Sequence, residues 1–363
     1  MAGSEFKFST VRRQNSIGVN IMALLWIDGF DNYGSTIDSG ISPSGVLGRK
    51  YSITQNTNNF RIRAGRINGY SLDLNYDTSF IHKNSLTTVD TVVVGFAFSF
   101  ASYSWPGYAF FTLYDGATVG INLKHTVNGA IQVCRGGTVL GTTADYIITP
   151  GIWKYLELKI KCHSSTGTYE LRINGVNVLS GTGANTKAGT HDYHDGFRLT
   201  GIDDDLPKVD DFYFLDTSGA TNNDFLGNIR VETIRPDANG DSTQFTPSSG
   251  NNYACVDETV VNDDTDYVED STSGHQDLYG YSATTLTTIK GLMICTDCRD
   301  TDVTDYNLKT SCKSGATDSD DAGQSVGSTS FVTLKRILET DPNTSSAWTQ
   351  TDLNAAQFGV KVG

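Results

Sequence analysis

Cys295-Thr296-Asp297-Cys298 is the spacing in this chain that most invites chemistry. Two thiols three positions apart suit zinc or disulfide exchange. A structural zinc site needs a second Cys pair or a His pair at matching distance. Cys312 follows fourteen residues after Cys298, and His275 lies well upstream, so the set is incomplete. Redox pairs sit at a helix N-terminus, which stabilises the thiolate. Here the pair closes an apolar run that reads as a strand, where positions three apart point to opposite faces. The expectation is one buried and one surface thiol, with the six cysteines mostly reduced. A Cys298–Cys312 or Cys134–Cys162 disulfide is the alternative after release from a cell.

Oxygen-rich runs are the next candidates. Asp203, Asp204, Asp205, Asp210 and Asp211 crowd around Pro207, and carboxylates of this density bind Ca²⁺ in some loops. EF-hand spacing is absent. Asp203, Asp205 and Asp210 are therefore weak Ca²⁺ candidates beside a plainer reading, a solvated turn whose acids cap backbone groups. Asp73, Asn75 and Asp77 have the same standing. His191 and His194, with Asp192 or Asp195, form a weak metal pair in the loop THDYHD. No metal or other cofactor is expected.

Carboxylate catalysis of glycoside cleavage needs two acids facing each other across a cleft. Glu157 and Glu170 stand alone on separate strand-like runs and read as outward-facing, and Asp263, Asp264 and Asp266 fall in a loop. No G-x-S-x-G, Walker A, H-E-x-x-H or G-x-G-x-x-G pattern is present. These absences lead to the expectation that the chain is not an enzyme. The ring-bearing residues are more suggestive. Tyr103, Trp105 and Tyr108 share one Ser/Pro/Gly-rich loop, SYSWPGYAF. They suit either sugar stacking or contact with a neighbouring subunit.

The elements that position these groups are strands. Across 363 residues, 37 Gly and only 7 Pro accompany 17 Tyr and 17 Phe, with Thr, Ser, Asp and Asn between short apolar runs. That mix favours strands joined by tight turns. Val92 to Phe100 alternates so that Val92, Val94, Phe96, Phe98 and Phe100 share one face. Trp153 to Lys161 and Tyr169 to Ile173 follow, and Asn174-Gly175 marks a hairpin turn. Thr217 to Asp224 is polar and reads as a linker, predicting that residues 22–216 fold alone. Beyond it, strands are expected at Ile229–Ile234, Leu286–Ile294, Phe331–Leu338 and Phe358–Val362. Trp348–Gln357 is the one convincing helix, capped by Thr349. Phe358, Val360 and Val362 alternate in the last strand, with Trp348 bracing the helix that delivers it.

The net charge of −14 makes nucleic acid a poor partner. No run reaches the roughly 18 apolar residues of a membrane span, and no secretory signal is recognisable. Residues 1–21 read as a tag, a translated leader or a native arm preceding Met22.

The runs WKYLELKI (Trp153–Ile160), YELRING (Tyr169–Gly175) and VDDFYFLD (Val209–Asp216) resemble the concanavalin A-like and laminin-G-like lectin sandwiches over residues 22–216. Enzymes of that superfamily often carry E-x-D-x-x-E on one strand, a pattern missing here. Residues 209–258 and 339–362 resemble a β module of tailed-bacteriophage virion proteins. Together these resemblances imply an all-β protein of two sandwiches, the first of jelly-roll type and the second (225–363) smaller, with one short helix. They further imply a structural subunit on a virion's capsid, neck or tail surface. It would be made in the host cytoplasm and would assemble with other virion proteins as a homo-oligomer. Trp348, Phe358, Val360 and Val362 would carry assembly. The competing expectation is an adhesin for host surface glycan.

Overall fold

The computed structural model describes residues 22–34, 44–53, 60–75, 79–202, 207–301 and 304–363. Strands make up 46% and helix 6%, so the protein is all-β as expected. The first unit contains β1 (Leu24–Asp28), α1 (Ser44–Lys50), β2 (Ser52–Ile53), β3 (Phe60–Ala64), β4 (Tyr70–Leu74) and β5 (Phe80–Lys83). It continues with β6 (Thr91–Ser99), β7 (Ala109–Asp115), β8 (Thr118–His125), β9 (Ile131–Arg135) and β10 (Thr138–Thr142). β11 (Lys154–Lys161), β12 (Gly167–Ile173), β13 (Val176–Ala184), β14 (Gly196–Thr200) and β15 (Lys208–Asp216) complete it.

Two antiparallel sheets face each other. The first has the order β13-β12-β11-β6-β15-β4-β3, with β1 on the far half of β15; the second runs β10-β9-β8-β7-β14-β5-β2. Phe96, Phe98, Phe111, Phe197 and Phe212 fill the space between, with the Phe197 and Phe212 ring centroids 4.4 Å apart. Each such ring contributes roughly 1.5–3 kcal/mol by leaving water. The alternation predicted for Val92 to Phe100 holds: Val92, Val94, Phe96, Phe98 and Phe100 enter this core, while Val93 and Ala97 face the other way.

VDDFYFLD achieves its burial through a bulge. Register jumps between Asp210 and Tyr213, and Asp211 takes φ +51°. The extra residue resets the alternation, so Val209, Phe212 and Phe214 all point inward. Tyr213 then lies flat against Gly95, where a Cβ would sit 2.2 Å from the ring; only glycine fits. Asn174-Gly175 closes the β12–β13 hairpin with φ +51° and +80°, the backbone its residue types predict.

The second unit contains β16 (Pro236–Thr243), β17 (Thr246–Pro247), β18 (Val268–Glu269), β19 (Gln276–Tyr281) and β20 (Leu292–Cys298). β21 (Asn307–Ser314), β22 (Thr317–Asp320), β23 (Gln324–Ser325), β24 (Val332–Leu338), α2 (Gln350–Ala355) and β25 (Gln357–Val362) follow. A six-stranded sheet, β16-β19-β25-β21-β22 with β23 beside β21, opposes the pair β20-β24. Phe358 and Cys312 of the large sheet meet Leu338, Leu292 and Ile294 of the small one. Thr349 caps α2 as expected, accepting from Asp352 N at 3.1 Å.

Some expectations differ from the fold. Residues 229–234 and 286–291 run without strand pairing. β16 and β21 arise instead from polar text, PDANGDST and NLKTSCKS, where burial comes from neighbours rather than from an apolar pattern. α1 went unforeseen because its seven residues include Gly45 and Gly48 and no acidic residue in the first turn.

The outer face of the first sheet is also covered. Val93, Ala97, Tyr155, Tyr213 and Leu215 pack against Phe225, Leu226, Ile229 and Ile337. Glu339 accepts from Ala23 N at 3.0 Å and Leu24 N at 2.9 Å. The Arg66 guanidinium binds Asp211 at 2.7 Å and reaches Asn228 and the Ile229 carbonyl. Glu157 therefore corrects the outward-facing expectation. It is buried, accepting from Tyr213 Oη at 2.7 Å and Gly227 N at 2.8 Å.

Candidate functional site

The outer face of the second sheet carries the chemistry. On β5, β14 and β7, Ile81, Phe197, Leu199 and Phe111 point inward. Strand alternation sends their neighbours His82, Arg198 and Thr112 outward. Register aligns them in one row: His82 lies opposite Arg198, Arg198 opposite Thr112, Thr112 opposite Asn122, and Asn122 opposite Cys134. Tyr114 joins the row from the same face. Its ring centroid lies 4.7 Å from that of His82, and the Arg198 guanidinium stands 4.8 Å over it and 3.8 Å over Phe80. Two residues along, Lys124 lies opposite Gln132 on this face.

The electrostatics suit an anion. Burial lowers the pKa of His82, and the charge of Arg198 lowers it further. Burial also lowers Arg198, but a guanidinium stays charged at neutral pH. Tyr114 is raised by burial against the opposing pull of Arg198. Arg198 Nε and His82 Nε2 are buried and have no hydrogen-bond partner. Burying such polar atoms unpaired costs about 1–3 kcal/mol each, and the charged guanidinium would attract a carboxylate to this face. A neutral imidazole beside a phenol can also take and give a proton at that ligand.

The residues singled out from sequence sit as follows. Trp105 and Tyr108 are exposed at 41% and 46%, with ring centroids 6.4 Å apart and near-perpendicular planes. They flank the start of β7, at the rim of this sheet. Tyr103 packs partly against the sandwich core instead. Asp203 and Asp205, like Asp77, lie outside the described residues. Asp210 is buried in β15 rather than in a solvated turn. It accepts from Arg66 N at 2.7 Å and Asp211 N at 2.8 Å, and its carboxyl is pushed up by burial and by Asp211. Asp73 pairs with Arg63 at 3.0 Å.

His191 and His194 do not converge. His191 Nδ1 meets Asp115 at 2.5 Å, while the ring of His194 is buried against Gly120. Among the described residues, no three His, Cys, Asp or Glu side chains are grouped to hold a metal. All six cysteines are free, so neither alternative disulfide is formed. Cys295 and Cys298 are both half-buried on β20, correcting the one-in, one-out expectation. Burial pushes the Cys298 and Cys312 thiols up to about 12. Trp348, Phe358, Val360 and Val362 are buried within the second unit, the Trp348 and Phe358 rings 6.2 Å apart.

Sequence reasoning missed His82, Arg198 and Tyr114. A partial signal was present in FRLT, where Arg198 sits between apolar Phe197 and Leu199; in FIHK, His82 lies between Ile81 and Lys83. Their convergence depends on pairing of Arg198 with His82, 116 positions away, and with Thr112, 86 away, which no local pattern encodes.

No family model and no curated protein matches this chain. Similar solved structures include alginate lyase Aly36B, at 14% identity, 52% of this chain, 96% of that one and TM-score 0.38. A second is an endo-β-1,4-glucuronan lyase from the fungus Trichoderma reesei, at 15% identity, 46% of this chain, 86% of that one and TM-score 0.33. A third is the binding domain of Paraclostridial Mosquitocidal Protein 1, at 15% identity, 53% of this chain, 48% of that one and TM-score 0.37. The expectation that the chain is not an enzyme is corrected here, since two of these structures are polysaccharide lyases. Likenesses this slight assign no activity or substrate to this chain. No helix among the described residues is long and apolar enough to cross a membrane.

Proposed function

We propose that this chain recognises an acidic saccharide on the outer face of its second sheet. One observation carries the reading: Arg198 and His82 bury unpartnered nitrogens against the ring of Tyr114, on a sheet face rimmed by Trp105 and Tyr108. Arg198 would take the sugar carboxylate, because a guanidinium presents a planar fork matched to it. His82 and Tyr114 would hold neighbouring hydroxyls, and the exposed rings would stack a distal sugar unit. The setting we infer is the surface of a bacteriophage virion, in an oligomer with other virion proteins. It is supported by the sequence resemblance of residues 209–258 and 339–362, and is tested by locating the chain in a purified particle.

The binding test uses the full chain with uronic-acid oligosaccharides and neutral oligosaccharides of equal length. Arg198→Ala should weaken acidic-sugar binding by about 10- to 100-fold, the worth of a charge-assisted hydrogen bond. Circular dichroism should remain unchanged. Equal affinity for neutral and acidic sugars, or no effect of the substitution, overturns the assignment. Newly formed reducing or unsaturated ends in the same samples would show whether the bound sugar is also cut.

A further inference from the structure

A cavity of about 1290 Å³ opens beside β20, exceeding the roughly 300–1,000 Å³ of an ordinary small-molecule pocket. All seven residues of β20 line it and all are half-buried. β24 pairs with one edge of β20 from Leu292 to Cys298. Among the described residues no strand pairs with the other edge, and no backbone group of 292–298 bonds elsewhere. Opposite stand Tyr279, Phe358, Val360 and Val362 of the large sheet. The run 226–235, outside any strand, forms a further wall. Six strands thus face two across a gap. A free edge of seven residues, about 23 Å long, is a ready template for one more strand.

We propose that this edge captures an extended, net-positive segment of a partner protein by strand addition. Backbone pairing to β20 would supply affinity, and alternate apolar side chains would enter the gap beside β20. The charge selects the partner. Ten of the lining residues are Asp or Glu and five are Lys or Arg, so the walls are acidic. A second copy of this chain, at −14 overall, is repelled, whereas a basic strand is drawn in.

The experiment uses the full chain with a ten-residue peptide alternating valine and lysine. Its controls are a valine–glutamate peptide and a valine–lysine peptide N-methylated at alternate amides. With the basic peptide at ten times its Kd, backbone amide exchange at residues 292–298 should slow roughly tenfold. Both controls should give no protection. The change Glu269→Lys, at an exposed residue of the wall, should weaken the basic peptide severalfold while leaving the thermal transition in place. No protection by the basic peptide overturns the proposal. Equal binding of the methylated peptide would mean apolar contact without strand pairing, and also overturns it. Protection that rises with protein concentration in the absence of peptide would identify a second copy as the occupant, with the same consequence.

Discussion

His194 sits where a charge cannot be accommodated. Its ring presses on Gly120, and burial lowers its pKa to about 4, against the smaller opposing pulls of Asp115, Asp195 and the Thr186 backbone. An unfolded histidine titrates near 6.5. Above that pH both states are neutral and the residue has no linkage effect. As pH falls from about 6.5 towards 4, the unfolded chain takes up a proton that the folded one refuses. Stability is therefore lost across that window, by about 3 kcal/mol in total. Urea unfolding at pH 7 and pH 4 should show this loss in the native chain and a loss smaller by about that amount in His194→Gln. Identical pH dependence in the two would remove His194 as the cause. The thiols behave oppositely, since burial holds Cys298 and Cys312 protonated at neutral pH. Slow alkylation of both in the folded chain is the expected outcome, with rates rising on denaturation.

At the scale of elements, the ends of strands and helices were easier to anticipate than their partners. The Thr349 side chain caps α2 as its spacing to Asp352 implies. Thr349→Ala should cost about 1 kcal/mol in the second unit, seen as a lower urea midpoint at unchanged slope. A loss near zero would mean that packing of Leu353, not the cap, holds the helix. The Asn174-Gly175 hairpin and the inward row of Val92 to Phe100 were equally readable, because both depend on local dihedrals and strand period. β16 and β21 were not, since polar strands owe their pairing to neighbours distant in sequence. The candidate site shares that difficulty. Each of His82, Tyr114 and Arg198 is an ordinary outward residue on its own strand, and only register makes them neighbours.

At the scale of the whole molecule, the two units share buried surface. Tyr155, Tyr213, Leu215, Val93 and Ala97 lie under Phe225, Leu226 and Ile229. A fragment ending at residue 216 would leave that apolar face in water, and such patches drive association. A fragment ending at residue 234 would keep its cover. The shorter fragment should therefore self-associate in sedimentation velocity while the longer stays monomeric and gives a sharper thermal transition. If residues 22–216 alone are monomeric and unfold cooperatively at the temperature of the longer fragment, the cover is dispensable.

Composition and period alone determined the all-β class, the inward faces of the strongest strands, the hairpin at Asn174-Gly175 and the α2 cap. These are consequences of steric preference and side-chain alternation within a few residues. Tertiary structure decided the rest. It buried Glu157, which the sequence reads as exposed, and it drew His191 apart from His194. It also set Arg198 over Tyr114 and left one edge of β20 open. The physical reason is common to all four. A strand's pattern specifies which face meets a core, but register and sheet order specify which residues meet each other, and those are settled only when distant segments pack.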